Sequence, residues 1–411
     1  METRVTQDIA ERFSLDQVSH HELLEIFRLR YMTCWRVSKN QITFPASHDY
    51  RLKVNVSHGL IEQIFAGKSL SDGELDELLA QVSADLKDDR IAEFGRDILF
   101  ARKPVTGGFR FSSIDMQLLP APARAPRPPQ TLADNPFVLE HPIRAYRTPG
   151  LRNVRRYGSA VEWARVLNAL LNTSIKHSGP RSKQFWASNV FGNLNKCFWA
   201  QEFYTFPGFH AYRSQLSRKS RSPLPVVPAD AYFGPFNKLI PLLAQHNAMD
   251  NFYLPDNVDQ LVAAFLSLKG EKRRRFLRSA TMIYYAKELW DTSISASFLA
   301  CVQAIEALTD KPSEDPCPTC GKDRTDGPTQ LVKKIVQKHC KGMEVDKKVL
   351  DDLYRVRSAL AHGEYLFQMD ESPGSFGYVA SVASDKEREM IDPAITIAKQ
   401  VLRNWLLSQA V

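Results

Sequence analysis

Arg357 and His362 stand five positions apart near the end of the stretch Leu353-Tyr-Arg-Val-Arg-Ser-Ala-Leu-Ala-His-Gly363. An arginine is a permanent cation whose planar fork of donors suits phosphate oxygens. A histidine can both take and give a proton near neutral pH. Together they suffice to cut RNA without a metal. The imidazole would move the proton of a ribose 2′-hydroxyl or of the leaving oxygen, and the guanidinium would hold the phosphate as its charge grows. Leu353, Val356 and Leu360 recur at helical spacing, so the stretch reads as a helix with one apolar face. Gly363 falls where such a helix would stop in a left-handed turn. Five residues of helix turn through roughly 500°, which leaves the two side chains about 140° apart. A single straight helix therefore does not aim both at one phosphate. Either its end distorts, or a second copy supplies the missing group. A plainer reading, favoured by spacing alone, is a surface arginine followed by a histidine whose charge suits the helix C-terminus.

Two further helical stretches lead up to this motif. One is Phe276-Leu-Arg-Ser-Ala-Thr-Met-Ile-Tyr-Tyr-Ala-Lys-Glu-Leu-Trp290; the other runs from Ser293 to Leu308 and ends in Ala304-Ile-Glu-Ala-Leu308. In that order (helix, short polar break, helix, then Arg-Ser-x-x-x-His-Gly) residues 256–411 resemble the HEPN superfamily, its Apea-like branch in particular. The resemblance implies a small helical bundle, usually dimeric, in which the Arg and His of paired motifs face each other across the dimer cleft. It implies a metal-independent endoribonuclease that cleaves single-stranded or loop RNA and leaves a 2′,3′-cyclic phosphate and a 5′-hydroxyl. It also implies a toxin-like role in antiviral defence against phages. Carried over by position, Arg357 and His362 match the catalytic pair. Ser358 stands where the more familiar ribonuclease members have Asn, Asp or His. Glu306 matches a recurrent acidic position of the second helix, where it is either catalytic or a structural partner of a neighbouring arginine. Many members of the superfamily only bind or scaffold. A non-catalytic RNA-binding or protein-interaction module is therefore the alternative.

Within the same region, Cys317-Pro-Thr-Cys320-Gly321 reads as a knuckle in which a tight turn lets two thiolates converge. His339 and Cys340 follow after the amphipathic run Gln330–Lys338. A structural Zn²⁺ on Cys317, Cys320, His339 and Cys340 is the expectation, although adjacent residues seldom both ligate one metal. Four protein ligands leave no open position, so such a metal would brace a loop and take no part in catalysis.

Between His141 and Ala229 there are 14 Lys and Arg against Glu162 and Glu202 alone, a net +12 that exceeds the +8 of the whole chain. A field of one sign attracts a polyanion. Arg144, Arg147, Arg152, Arg155 and Arg156 form the denser cluster, and Arg218 and Lys219 belong to a second. Aromatic residues from Trp163 to Tyr212 lie between them, a mixture suited to single-stranded nucleic acid if the rings are exposed. If they are buried, they are simply core. Anionic nucleotides or a partner protein's acidic face fit the charge equally well.

The elements that must position these groups divide by composition. Residues 1–119 read as an α+β region: a helix over 21–32, a strand over 50–56, an acidic amphipathic helix over 72–86, and a hairpin turning at Gly107-Gly108. Residues 120–136 are a Pro-rich linker, 137–255 the basic and aromatic middle region, and 256–411 the helical domain. The expected fold class is therefore mainly α, a HEPN-like helical bundle carrying a zinc-knuckle insertion and preceded by an α+β N-terminal region. A hydrophobic share of 44% and a charged share of 24% are ordinary for a soluble globular protein. No apolar run approaches the roughly 18 residues of a membrane span. Six scattered cysteines fit a reducing compartment, so the cytoplasm is the expected location and a homodimer or other even-numbered assembly the expected state.

Overall fold

The computed structural model describes residues 3–5, 23–24, 26–27, 35–38, 41–45, 50–57, 60–66, 72–88, 90–122, 135–146, 149–177, 211–218, 220, 222–234, 251–290, 292–309, 327–340, 347–371 and 378–409. These fall into two compact units, and the fold is mainly α with an α+β region. The first unit comprises Met1–Gly95, Pro142–Ser159 and Tyr212–Gln215; the second comprises Arg96–His141, Ala160–Ala211 and Leu216–Val411. The units cut across the compositional partition at 119, 136 and 255, because the same core is reached by segments far apart in the chain.

In the first unit, strands β1 (Thr3–Val5), β2 (Trp35–Ser38), β3 (Gln41–Pro45), β4 (Tyr50–Ser57) and β5 (Leu60–Ala66) form an antiparallel sheet in the order β1-β5-β4-β3-β2. The alternation that marked 50–56 as a strand has a direct cause: Val54 is fully buried opposite Ile64, also fully buried. Leu23, Ile26 and Phe27 are helical and buried, at the spacing of one helix face. Helix α1 (Asp72–Asp88) turns Glu74, Asp76 and Glu77 to solvent and buries Val82.

The second sheet runs β10 (Ile175–His177), β6 (Arg90–Ala101), β9 (Asn135–Tyr146), β8 (Gln117–Pro120), β7 (Phe109–Arg110), with β11 (Ala211–Arg213) also on β6. The expected hairpin at Gly107-Gly108 is not formed, since β7 pairs with β8 and not with β6. The two glycines serve a close backbone approach instead. A Cβ at Gly107 would collide with the Pro223 carbonyl, and Gly108 exchanges backbone hydrogen bonds with Ser222 and Leu224. On β9 the consecutive Glu140 and His141 are both buried, so both sheet faces are covered there. Glu140 accepts from the Ser217 hydroxyl and backbone N–H and from Gln117, while His141 sits 3.2 Å from Asp97. Burial alone would raise the Glu140 carboxyl; those hydrogen bonds and the charge of Arg96 outweigh it and hold the group below its usual value.

Helices α2 (Pro149–Leu170), α3 (Ala229–Phe233), α4 (Val258–Ser267), α5 (Gly270–Leu289), α6 (Ile294–Glu306), α7 (Pro328–His339), α8 (Lys347–His362), α9 (Gln368–Glu371) and α10 (Tyr378–Gln409) follow among the described residues, with short parallel strands β12 (Val226–Val227) and β13 (Leu254–Pro255). One apolar core joins Leu99, Phe137 and Leu139 of the sheet to Leu167 of α2, Phe265 of α4, Phe276 of α5, Phe298 of α6 and Leu402 of α10. The helical bundle and the second sheet thus share one interior. Among the described residues no helix is long and apolar enough to cross a membrane.

Candidate functional site

Helix α8 buries Leu350, Leu353, Val356 and Leu360 and ends as its sequence requires. Gly363 adopts φ +71°, its N–H donates to Leu360, and Glu364 N–H donates to Ala359. That pair of bonds is the left-handed C-terminal motif that only glycine enters without strain. The chain then doubles back. Phe367, fully buried, packs edge-to-face on Phe298 at 5.7 Å, and its N–H donates to the Ser295 hydroxyl. Asp370 of α9 accepts from the Ser293 hydroxyl and from the backbone N–H groups of Ile294 and Ser295. A carboxylate 75 residues downstream thereby caps the start of α6, alongside the local cap from Ser293 to Ala296 N–H. Burial would raise the Asp370 carboxyl, but its hydrogen bonds to Ser293, Ile294 and Ser295 lower it on balance.

These ties hold the segment after α8 against the start of α6. Leu350, Leu353 and Tyr354 surround a small apolar gap with Val302 and Ile305 near the end of α6, while Phe367 meets its beginning. Arg357 therefore arrives beside Glu306, its guanidinium 3.1 Å from Oε1 and 3.4 Å from Oε2. Both side chains are roughly one-quarter exposed, at 27% and 23%. The same guanidinium lies 5.6 Å from the Tyr354 ring centre. Two of the three residues expected at the site are thus brought together. His362 is exposed at the helix end, five residues on and, by helical geometry, about 140° around. The helix stays regular through His362, so no local distortion closes that angle within one chain.

The basic cluster is divided. Arg144 is exposed on β9; Arg152, Arg155 and Arg156 are half-buried on α2, where Arg152 Nε donates to Glu93 at 2.9 Å. These four belong to the first unit, and the exposed Arg218 belongs to the second. Arg147 and Lys219 lie outside the described residues. Trp163, for its part, is core: it is 6% exposed and stands edge-on to Phe265 at 5.7 Å.

Of the expected zinc ligands, Cys317 and Cys320 lie outside the described residues. His339 and Cys340 close α7, and both are buried. Burial, with Lys338 adding to it, lowers the His339 imidazole below its usual value and so favours the neutral ring a metal needs. Burial in the apolar core pushes the Cys340 thiol up to about 11, against the pull of Arg403. Among the described residues no group of three or more His, Cys, Asp or Glu is placed to hold a metal ion.

Sequence reasoning passed over Lys399 and Arg403, both 3% exposed. Lys399 Nζ donates to the Leu171 carbonyl; Arg403 donates to Asn172 and Gln400 and lies 3.9 Å from the Phe233 ring centre. The signal was present: two cations four residues apart in the mostly apolar run Ala394–Leu407. No family model matches the chain, and neither the curated proteins nor the solved structures contain a match to it.

Proposed function

We propose that α4–α10, within residues 256–411, form a HEPN-type module that cleaves single-stranded or loop RNA without a catalytic metal, assembled as a dimer. The observation that carries this reading is the end of α8: an exposed His362 stopped by Gly363, preceded by an Arg357 already oriented by Glu306. In the proposed reaction His362 of one copy takes the ribose 2′-hydroxyl proton. The 2′-oxygen attacks the adjacent phosphorus, the bond to the 5′-oxygen breaks, and that oxygen leaves with a proton from the imidazolium. The products are a 2′,3′-cyclic phosphate and a 5′-hydroxyl. Arg357 holds the phosphate oxygens, and Glu306 acts as the group that aims it. Because Arg357 and His362 diverge on one helix, the two come from paired copies. Tyr365 and Leu366, each 42% exposed and three and four residues after His362, offer apolar surface for that pairing.

A second reading, a module that binds RNA or a partner without cutting, is favoured by one observation: the Arg357 charge already has a carboxylate partner. RNA cleavage by wild type and His362→Ala, each also assayed as a monomer and as a dimer, separates the two. His362→Ala should fold and bind RNA yet lose cleavage by on the order of 10²–10⁴-fold, the usual contribution of a proton-transfer group. Cleavage at the wild-type rate by His362→Ala would remove the histidine-based nuclease and leave the binding reading in its place, whereas cleavage by a demonstrated monomer would overturn the cleft shared between paired copies. The same proposal includes a structural Zn²⁺ on Cys317, Cys320, His339 and Cys340. Metal analysis should find zinc in the wild type and less in Cys317→Ser.

A further inference from the structure

In the second unit the β10–β6 ladder ends at Ile175 paired with Ala101. The chain beyond each strand end, Thr173-Ser174 on one side and Arg102-Lys103 on the other, opens onto a cavity of about 490 Å³. Lys176, the aromatic residues Tyr232, Phe252 and Tyr253, and Lys287 and Trp290 from the end of α5 complete its lining with Asn172. That volume lies within the range of small-molecule sites. Four cations line it, Arg102, Lys103, Lys176 and Lys287, and no Asp or Glu appears among its described lining residues. The aromatic wall is ordered: the Tyr232 and Tyr253 rings meet edge-to-face at 5.5 Å, and Lys103 Nζ lies 5.0 Å from the Tyr253 ring centre.

Behind the wall stands one buried cation, Arg403, with Lys399 beside it. Asn172 is held by its N–H to the Tyr232 hydroxyl at 3.1 Å, by its amide to the Tyr232 carbonyl at 2.8 Å, and by Arg403 donating to its oxygen at 3.1 Å. Lys399 holds the preceding carbonyl, Leu171. The hydrogen-bond acceptors of Lys399 and Arg403 are carbonyl and amide oxygens, so these interactions bring no negative charge. Burial and the neighbouring Lys287 and Arg403 push the Lys399 ammonium well below its usual value. Cations in a low-dielectric interior project their field into the nearest opening.

We propose that this cavity binds a nucleoside phosphate, the phosphates on Arg102, Lys103, Lys176 and Lys287 and the base against Trp290 and Tyr253, at a site separate from Arg357 and His362. Thr173, Ser174 and Asn172 supply the hydroxyl and amide groups that a ribose and a base edge require. An aromatic platform serves any base, so the geometry selects phosphate and ring and does not select which base.

Calorimetric titration of the full chain with ADP, adenosine, inorganic phosphate and a short single-stranded RNA tests this. ADP should bind at one site per chain, and adenosine or phosphate alone at least about tenfold more weakly. Lys287→Ala and Arg102→Ala should each weaken ADP by about tenfold or more, the scale of a lost charge-assisted hydrogen bond. Trp290→Leu should weaken ADP and leave phosphate unchanged; Lys176→Gln serves in place of any charge variant whose melting curve shows it unfolded. His362→Ala should bind ADP as wild type does, so this result and the cleavage result stand or fall separately. The proposal is overturned if ADP does not bind, if phosphate binds as tightly as ADP, or if the charge variants have no effect. RNA that binds while ADP fails to compete with it at this cavity also overturns it.

Discussion

Arg357 at the edge of α8 and Arg403 inside α10 are the same side chain in opposite circumstances. Arg357 is about one-quarter exposed, meets a carboxylate, and keeps one side open to solvent. Arg403 is 3% exposed, donates to two amide oxygens and stacks over Phe233, and burial lowers its guanidinium to about 10. An ion pair near the surface is a weak contributor to stability and leaves its arginine free to exchange partners. A buried cation is held by everything around it, and removing it strands the groups it satisfied. The first environment suits an arginine that must meet a phosphate. The second suits an arginine that fixes a wall and lends its field to a cavity.

The strongest test of that contrast exchanges activity for stability. Arg357→Ala should lower RNA cleavage by on the order of 10²–10³-fold, the usual cost of removing one stabilising donor. Its melting curve should move little, since a pair at the edge of the surface contributes about 1 kcal/mol. Arg403→Ala should do the reverse, costing about 2–4 kcal/mol in denaturant unfolding while the folded fraction cleaves normally. Equal losses of stability in both variants would erase the distinction.

Asp370→Ala should cost about 0.5–2 kcal/mol, the range of a lost helix cap, because three donors at the start of α6 lose their acceptor. The sign of its pH dependence follows from a carboxyl lowered in the folded state. Its stabilisation is present above the ordinary value of 3.8 and is lost as pH falls through the lowered one. Acid unfolding monitored by circular dichroism should therefore separate wild type from Asp370→Ala at neutral pH and bring them together in strong acid.

The smallest expected effect is at Lys399. Lys399→Met keeps the apolar stem and removes the ammonium, so it should be neutral or stabilising by about 1 kcal/mol at pH 7. Here the folded state has the lower proton affinity. Between the lowered value and 10.5 the unfolded chain holds a proton that the folded chain does not, so wild-type stability rises with pH across that window. The advantage of Lys399→Met should accordingly shrink as pH approaches 10.5. A constant difference from pH 7 to 10.5 would mean that Lys399 is not the strained group this contrast requires.

Several features were legible because their causes are local. The apolar spacing of Leu353, Val356 and Leu360 and the stop at Gly363 depend on helical period and on the freedom of glycine at positive φ, both written in adjacent residues. The strand over 50–56 and the acidic helix over 72–86 follow from the same short-range periodicity. The divergence of Arg357 and His362 was also fixed by the sequence, since five residues of helix set an angle that no packing changes while the helix stays regular. Other features required the folded chain. Gly107 and Gly108 looked like a hairpin because turn chemistry and close backbone approach both demand glycine; only the position of residues 220–224 separates the two. Asp370 as the cap of α6, Glu306 as the partner of Arg357, and the joining of Arg102, Asn172, Tyr232 and Lys287 around one cavity all depend on segments 51 to 185 residues apart. Lys399 and Arg403 read as ordinary cations until burial removes the water around them. The sequence determined where helices begin, end and turn polar; the tertiary structure decided which charges are paired, which are stranded, and what their fields face.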